Sequence, residues 1–157
     1  MNARHVINAP AVALSAATAK TVLMLVAGAN QAIRALTEIA VSIDAGGLVL
    51  VELVESTQAG TGTSTDATAN IKQVGGFVAG DSTAPAQVTA RTNYTAEPTT
   101  LTRLKAWRFN GPGPLLLQAP LGREVQSLVS GATKYKGLGL RLTAAAACNA
   151  DVYAEWE

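Results

Sequence analysis

The side chains able to do chemistry are few, and their spacing argues against most of it. The chain has one histidine, His5, and one cysteine, Cys148. A cysteine nucleophile needs a neighbouring base to hold it as thiolate, and the only imidazole lies near the other end of the chain. Cys148 follows four alanines, Ala144 to Ala147, where a small buried thiol is the plain reading. A lone cysteine also excludes an intrachain disulfide framework. With one His and one Cys, a zinc site would have to be carboxylate-rich, and the acids are scattered. Asp66 and Asp81 fall in polar stretches without the Asp-x-Asp spacing of a calcium loop, and read as solvated acids. Glu52 and Glu55 stand an odd number of residues apart, which puts them on opposite faces of a strand. They read as strand-edge charges that discourage mispairing, not as an acid–base pair. Gly75-Gly76 and Gly137-Leu138-Gly139 are too brief to cradle a phosphate and lack the strand–loop–helix setting. The expectation is a protein that is not an enzyme, with no catalytic residues, no cofactor and no metal.

The most distinctive cluster is Arg103, Lys105 and Arg108 around Trp107 and Phe109. One use would be an RNA-binding sheet, with rings for stacking among cations. Two rings and three cations are thin for that. The net charge is only +1, from 12 basic and 11 acidic residues, with no basic run, so no nucleic-acid partner is expected. The favoured use is packing: Trp107 and Phe109 fill a core or subunit interface, with Arg103 and Lys105 on the same strand face further from its centre. Trp and Arg are both enriched in interfaces. Trp107, Phe109 and Arg103 are therefore the expected subunit-interface residues.

These residues must be positioned by strands. Leu138, Leu140, Leu142 and Ala144 alternate with Gly139, Arg141 and Thr143, and Ala150, Val152, Ala154 and Trp156 alternate with Asp151, Tyr153, Glu155 and Glu157. Both are period-two patterns with one buried face. Residues 22–26 and 48–54 are short apolar runs, as for strands buried on both faces. Residues 31–44 fit a helical stripe (Ile33, Leu36, Ala40, Ile43) or a strand face (Ile33, Ala35, Ile39, Val41, Ile43). The β-branched residues at 39–43 favour the strand. Ala45-Gly46-Gly47 reads as a hairpin turn into 48–55. Residues 56–70 read as a long exposed loop and 75–85 as a second polar stretch. Alternation resumes at 87–95 and again at 103–109, and a turn at 110–114 leads into 115–118. Eight or nine short strands with no long helix predict an all-β chain, an antiparallel, jelly-roll-like β-sandwich. One domain over residues 11–157 is expected, preceded by an N-terminal arm over 1–10.

Composition points to assembly. Apolar residues make up 48% and charged residues 15%, against about a quarter charged in ordinary domains. A free monomer of this kind has little polar surface with which to cover itself. The longest apolar run, 22–29, is shorter than the roughly 20 residues a bilayer span needs, so no membrane partner is expected. Ala17-Thr18-Ala19 has the form of a signal-peptidase site, but Asn8 and Pro10 interrupt the stretch before it. Arg4, His5 and Asn8 are instead the expected contact residues of the arm.

The order of segments is familiar. Residues 11–23 (Ala-Val-Ala-Leu-Ser-Ala-Ala-Thr-Ala-Lys-Thr-Val-Leu) lead into a strand. Val41-Ser42-Ile43-Asp44-Ala45-Gly46, Val51-Glu52-Leu53-Val54, a Thr/Gly loop and Tyr94-Thr95-Ala96-Glu97-Pro98 follow. Leu115 to Leu117, Ala119-Pro120-Leu121-Gly122 and Leu140-Arg141-Leu142-Thr143-Ala144 complete the series. Over nearly its whole length the chain resembles small structural proteins of tailed bacteriophages, particularly capsid decoration (cement) proteins with jelly-roll folds. The resemblance implies a virion component on the capsid exterior, made in the bacterial host cytoplasm. Its implied partners are the major capsid protein and further copies of itself, commonly in a homotrimer. The alternative is a receptor- or glycan-binding head domain of a phage fibre, working through loops 56–70 and 75–85. Phe77 is the only aromatic residue in those loops, which weakens a sugar-stacking role. A jelly-roll enzyme of cupin type would need a histidine cluster that one His cannot supply.

Overall fold

A computed structural model describes residues 4–28, 30, 33, 35–59, 61–74, 88–120, 122–127 and 136–157. Nine strands account for most of them: β1 (Arg4–Leu14), β2 (Lys20–Ala27), β3 (Leu36–Ser56), β4 (Thr63–Asp66), β5 (Lys72–Val74), β6 (Val88–Ala96), β7 (Leu101–Gln118), β8 (Gly137–Ala144) and β9 (Cys148–Trp156). A single 3-10 turn at Thr68–Asn70 is the only helical element among the described residues. All pairings are antiparallel, in the order β4-β6-β2-β8-β3-β9-β1-β5, with β7 on the free side of β3. The all-β expectation is met by one curled antiparallel sheet that closes on itself like a sandwich.

The curl has a local cause. β3 and β7 run 21 and 18 residues, far beyond the usual five or six. The first half of β3 pairs with β9 and the second half with β8, while β7 follows it throughout. Both strands bend at one level, where the β3–β7 register shifts between Ile43 and Gly47. Gly47 and Gly113 take φ of +127° and +142° there, conformations open to glycine and strained for other residues. Beside this bend lie the 15–19 connection and the 145–147 connection. The Ala17 amide donates to the Ala144 carbonyl (2.8 Å), and the Ala145 amide to the Leu48 carbonyl (2.9 Å). The whole ribbon thus turns one corner and brings its two halves face to face.

Alternation then fills the space between the halves. Ile39, Val41 and Ile43 from one side meet Val49, Val51 and Leu53 from the other, joined by Ile7, Leu23, Leu25, Leu140, Val152 and Trp156. A smaller cluster lies outside the sheet, where Met24, Val26, Val54 and Tyr94 are covered by Ala59. The Tyr94 hydroxyl donates to the Ala59 carbonyl at 3.1 Å.

Four expectations need correction. Ala45-Gly46-Gly47 is not a hairpin turn, and residues 110–114 do not divide two elements. Both are the corner, crossed by one continuous strand each. Glycine and proline mark a bend in either case, and only the neighbouring strands decide whether the chain reverses. Residues 56–70 are not simply an exposed loop. They hold β4, paired with β6, and the Ala67 amide donates to the Ala90 carbonyl at 2.9 Å. The expected arm over 1–10 does not stand apart where it is described. Residues 4–10 belong to β1, whose Ile7 and Ala9 are core residues. Residues 75–85 lie outside the described residues.

Candidate functional site

The acids are largely occupied by structural work. Asp44 accepts from the Asn149 amide and side chain (both 2.8 Å), Asp151 from the Ala11 amide (2.7 Å), and Asp66 from the Thr68 amide (2.9 Å). The Asn149 bonds hold the Asp44 carboxyl below its usual 3.8, and the Thr68 bonds do the same for Asp66. Ala11 has a φ of 52° where the β1–β9 register slips, so Asp151 satisfies an amide that the ladder leaves free.

Glu52 is a different case from its expected role as a strand-edge charge. β3 is flanked on both sides, and Glu52 is only 7% exposed. One carboxylate oxygen accepts from Arg103 Nη1 at 3.0 Å, and the other lies 4.0 Å from Arg141 Nη1. Arg141 Nε is in turn 3.8 Å from Glu97. Glu97 accepts from the Thr21 amide at 2.6 Å and from the Thr21 hydroxyl. The row ties β2, β8, β3 and β7 together across one outer face. Its charges compensate one another, which is what buried charge requires.

His5 and Trp156 form the second cluster. Their rings stack with centroids 5.7 Å apart, and His5 Nε2 is buried without a hydrogen-bond partner. Burial lowers the His5 pKa below 6.5, because the charged form loses its water. His5 is thus a packed residue, not the exposed arm contact expected. Arg4 pairs with Glu155 at 3.1 Å, and of the three only Asn8 is exposed without such a partner. An unfolded histidine titrates near 6.5. In the window below that value the unfolded chain binds the proton that the folded chain refuses. Stability is therefore complete above about pH 6.5 and falls as pH drops, by at most about 1.4 kcal/mol per pH unit until the folded-state pKa is passed. Asp44 and Asp66 titrate below this window. Urea midpoints at about pH 7.5 and 5.5 should differ in the native chain, and His5→Phe, which keeps the ring stack, should remove the difference.

The third region is β7. Among the described residues its only strand partner is β3, so its other edge has no partner strand over 18 residues. Trp107 and Phe109 pair with Val51 and Val49 and turn inward, half-buried against the core. Leu115 and Leu117 do the same from the far side of the corner. At the open mouth between the two halves lies a cavity of about 320 Å³, floored by Leu36, Ile39, Leu53, Trp107 and Leu117, with Lys105 and Arg123 on its wall. Two of the four exposed large hydrophobic residues among those described, Leu104 and Leu116, belong to this strand.

The cations of β7 do not share one face. The register runs Leu53 with Lys105 but Val54 with Arg103. This bulge skips Leu104 and turns Arg103 to the outer face, onto Glu52. Arg103 is therefore not on the Trp107 and Phe109 face, as strict alternation predicts. A bulge leaves no mark in the residue pattern, which is why alternation misplaces it. Cys148 is half-buried against the core, and burial pushes its thiol pKa up. Among the described residues no three His, Cys, Asp or Glu side chains gather as metal ligands do, and no helix is long and apolar enough to cross a membrane. The chain matches no protein-family model and no curated protein.

Proposed function

We propose that this chain is a virion structural protein that decorates and stabilises the assembled capsid of a tailed bacteriophage. It binds the major capsid protein on the capsid exterior as a homo-oligomer, with the trimer as the state the resemblance implies. It acts by binding alone, with no catalytic step and no cofactor, nucleic acid or membrane. The observation that carries this reading is β7: a strand partnered on one edge among the described residues, bearing half-buried aromatic rings and two exposed leucines. Such a surface gains most from being covered by another protein. Its half beyond the corner, residues 111–118, has no charged residue and is the part offered to a neighbouring copy. Each shell contact can be weak, since several contacts made by one oligomer act at high effective concentration. A ligand that binds only the assembled shell shifts the equilibrium toward it.

The test is co-sedimentation of purified protein with undecorated shells. Saturable binding, and a solution mass of three times the 16.1 kDa chain, are the expected results. A protein that ignores shells and binds host-cell surface glycans would instead be the head domain of a fibre.

A further inference from the structure

Resting on that reading, we infer that the edge of β7 over residues 102–110, unpaired among the described residues, is a docking site for an acidic, extended segment of a partner protein, added as a further strand. β7 carries three of the chain's 12 basic residues and no acidic one, all three in this half. Pro112 and Pro114 remove two N–H donors from the other half, so strand addition is confined to the half with the cations. Arg103 is already held by Glu52 at 3.0 Å. Lys105 and Arg108 make no ion pair or side-chain hydrogen bond among the described residues. Lys105 stands at the cavity beside Trp107. Arg108, three residues on and paired with the outward Leu50, is exposed on the opposite face.

This spacing defines the occupant. In an antiparallel added strand, successive residues opposite 108, 107, 106 and 105 point outward, inward, outward and inward. The match is acid, apolar, any residue, acid. The first carboxylate meets Arg108, the apolar side chain covers the half-buried Trp107, and the last carboxylate meets Lys105. The covered edge leaves both cations unanswered, since β3 places Leu50, Val51, Glu52 and Leu53 opposite 108, 107, 106 and 105. Strand addition draws affinity from main-chain hydrogen bonds and selectivity from such alternate side-chain sites. A second β7 would bring cations and no acid. Single-stranded nucleic acid would need open ring faces, which Trp107 and Phe109 turn toward their own core.

The probe is a blocked eight-residue peptide containing Glu-Val-Thr-Glu, compared with a peptide having Gln at both Glu positions and with oligouridine. Tryptophan fluorescence reports binding, and amide hydrogen exchange reports its place. The Glu peptide should bind and protect amides within 102–110. The Gln peptide, and the Lys105→Gln/Arg108→Gln variant, should each bind about tenfold more weakly. Equal binding of the Glu and Gln peptides, protection elsewhere, or binding of oligouridine alone would overturn the inference. So would no binding of the Glu peptide at all, or a variant that merely loses oligomer mass. The peptide comparison on the native chain decides the matter even if the variant folds poorly. Shell binding is scored separately. Native protein that binds shells but not the Glu peptide sinks only the docking site, and the reverse result sinks only the decoration reading.

Discussion

Trp156→Ala will lower the free energy of unfolding by about 3 to 5 kcal/mol. Trp156 is 2% exposed, pairs across β9 with both His5 and Leu36, and closes the core at the end of the sandwich away from the corner. Removing its ring leaves a cavity among strands that are tied on both sides and cannot collapse into it. For a domain whose whole stability is about 5 to 15 kcal/mol, that is a large share, and the variant should be partly unfolded at mild denaturant. Far-ultraviolet circular dichroism against urea measures it independently of indole fluorescence. The same variant exposes His5 to water, so the pH dependence predicted for the native chain should shrink with it. Trp107→Ala is the control. That ring contacts the core from one side only and should cost clearly less. If the two variants were equally destabilised, the distinction between a core tryptophan and a margin tryptophan would be lost.

Gly139→Ala should be nearly as damaging, at about 3 kcal/mol, although it adds a single methyl group. Gly139 lies in β8 between Met24 of β2 and Val54 of β3. A Cβ there would run into the Leu23 carbonyl oxygen and stand 2.9 Å from the Met24 sulfur. The methionine can swing away, but the carbonyl belongs to the backbone of a central strand and cannot. Accommodating the methyl group means parting β2 from β8, and every strand beyond β2 moves with it. Thermal unfolding followed by circular dichroism reads the loss directly. A change under about 0.5 kcal/mol would mean that the β2–β8 ladder is looser than its register implies.

Much of the scaffold was legible because one face of most strands is wet. Residues 138–144 and 150–156 alternate cleanly, and their inward residues are those found in the core. The strand reading of 31–44 also held from Leu36 onward, since β-branched residues fit a pleated surface better than a helix. The corner was not legible, because Ala45-Gly46-Gly47 reads the same whether a strand bends or reverses. The placement of Arg4 to Pro10 as an arm failed for a related reason. Asn8 and Pro10 mark the wet side of β1 as readily as they mark a tail. The Glu52–Arg141–Glu97 row was hidden more deeply, since its members come from β3, β8 and the segment after β6. Only the strand order β6-β2-β8-β3 makes them neighbours. Trp107 and Phe109 share the inward face that alternation predicts, half-buried against the core, and Arg103 was misplaced by one bulge.

The pairing of β1 with β9 sets the order of events during synthesis. Arg4 reaches its ion-pair partner 151 residues along the chain, and at ribosomal speeds of about 5 to 20 residues per second the wait is on the order of ten seconds. For that interval β1 offers an alternating apolar strand with only the three residues of β5 to pair with, and the first half of β3 lacks its β9 neighbour as well. The core cannot close until residues 148–156 have left the ribosome. Closure of the core is therefore a late event, and until then the unpaired edges of the early strands are open to other chains.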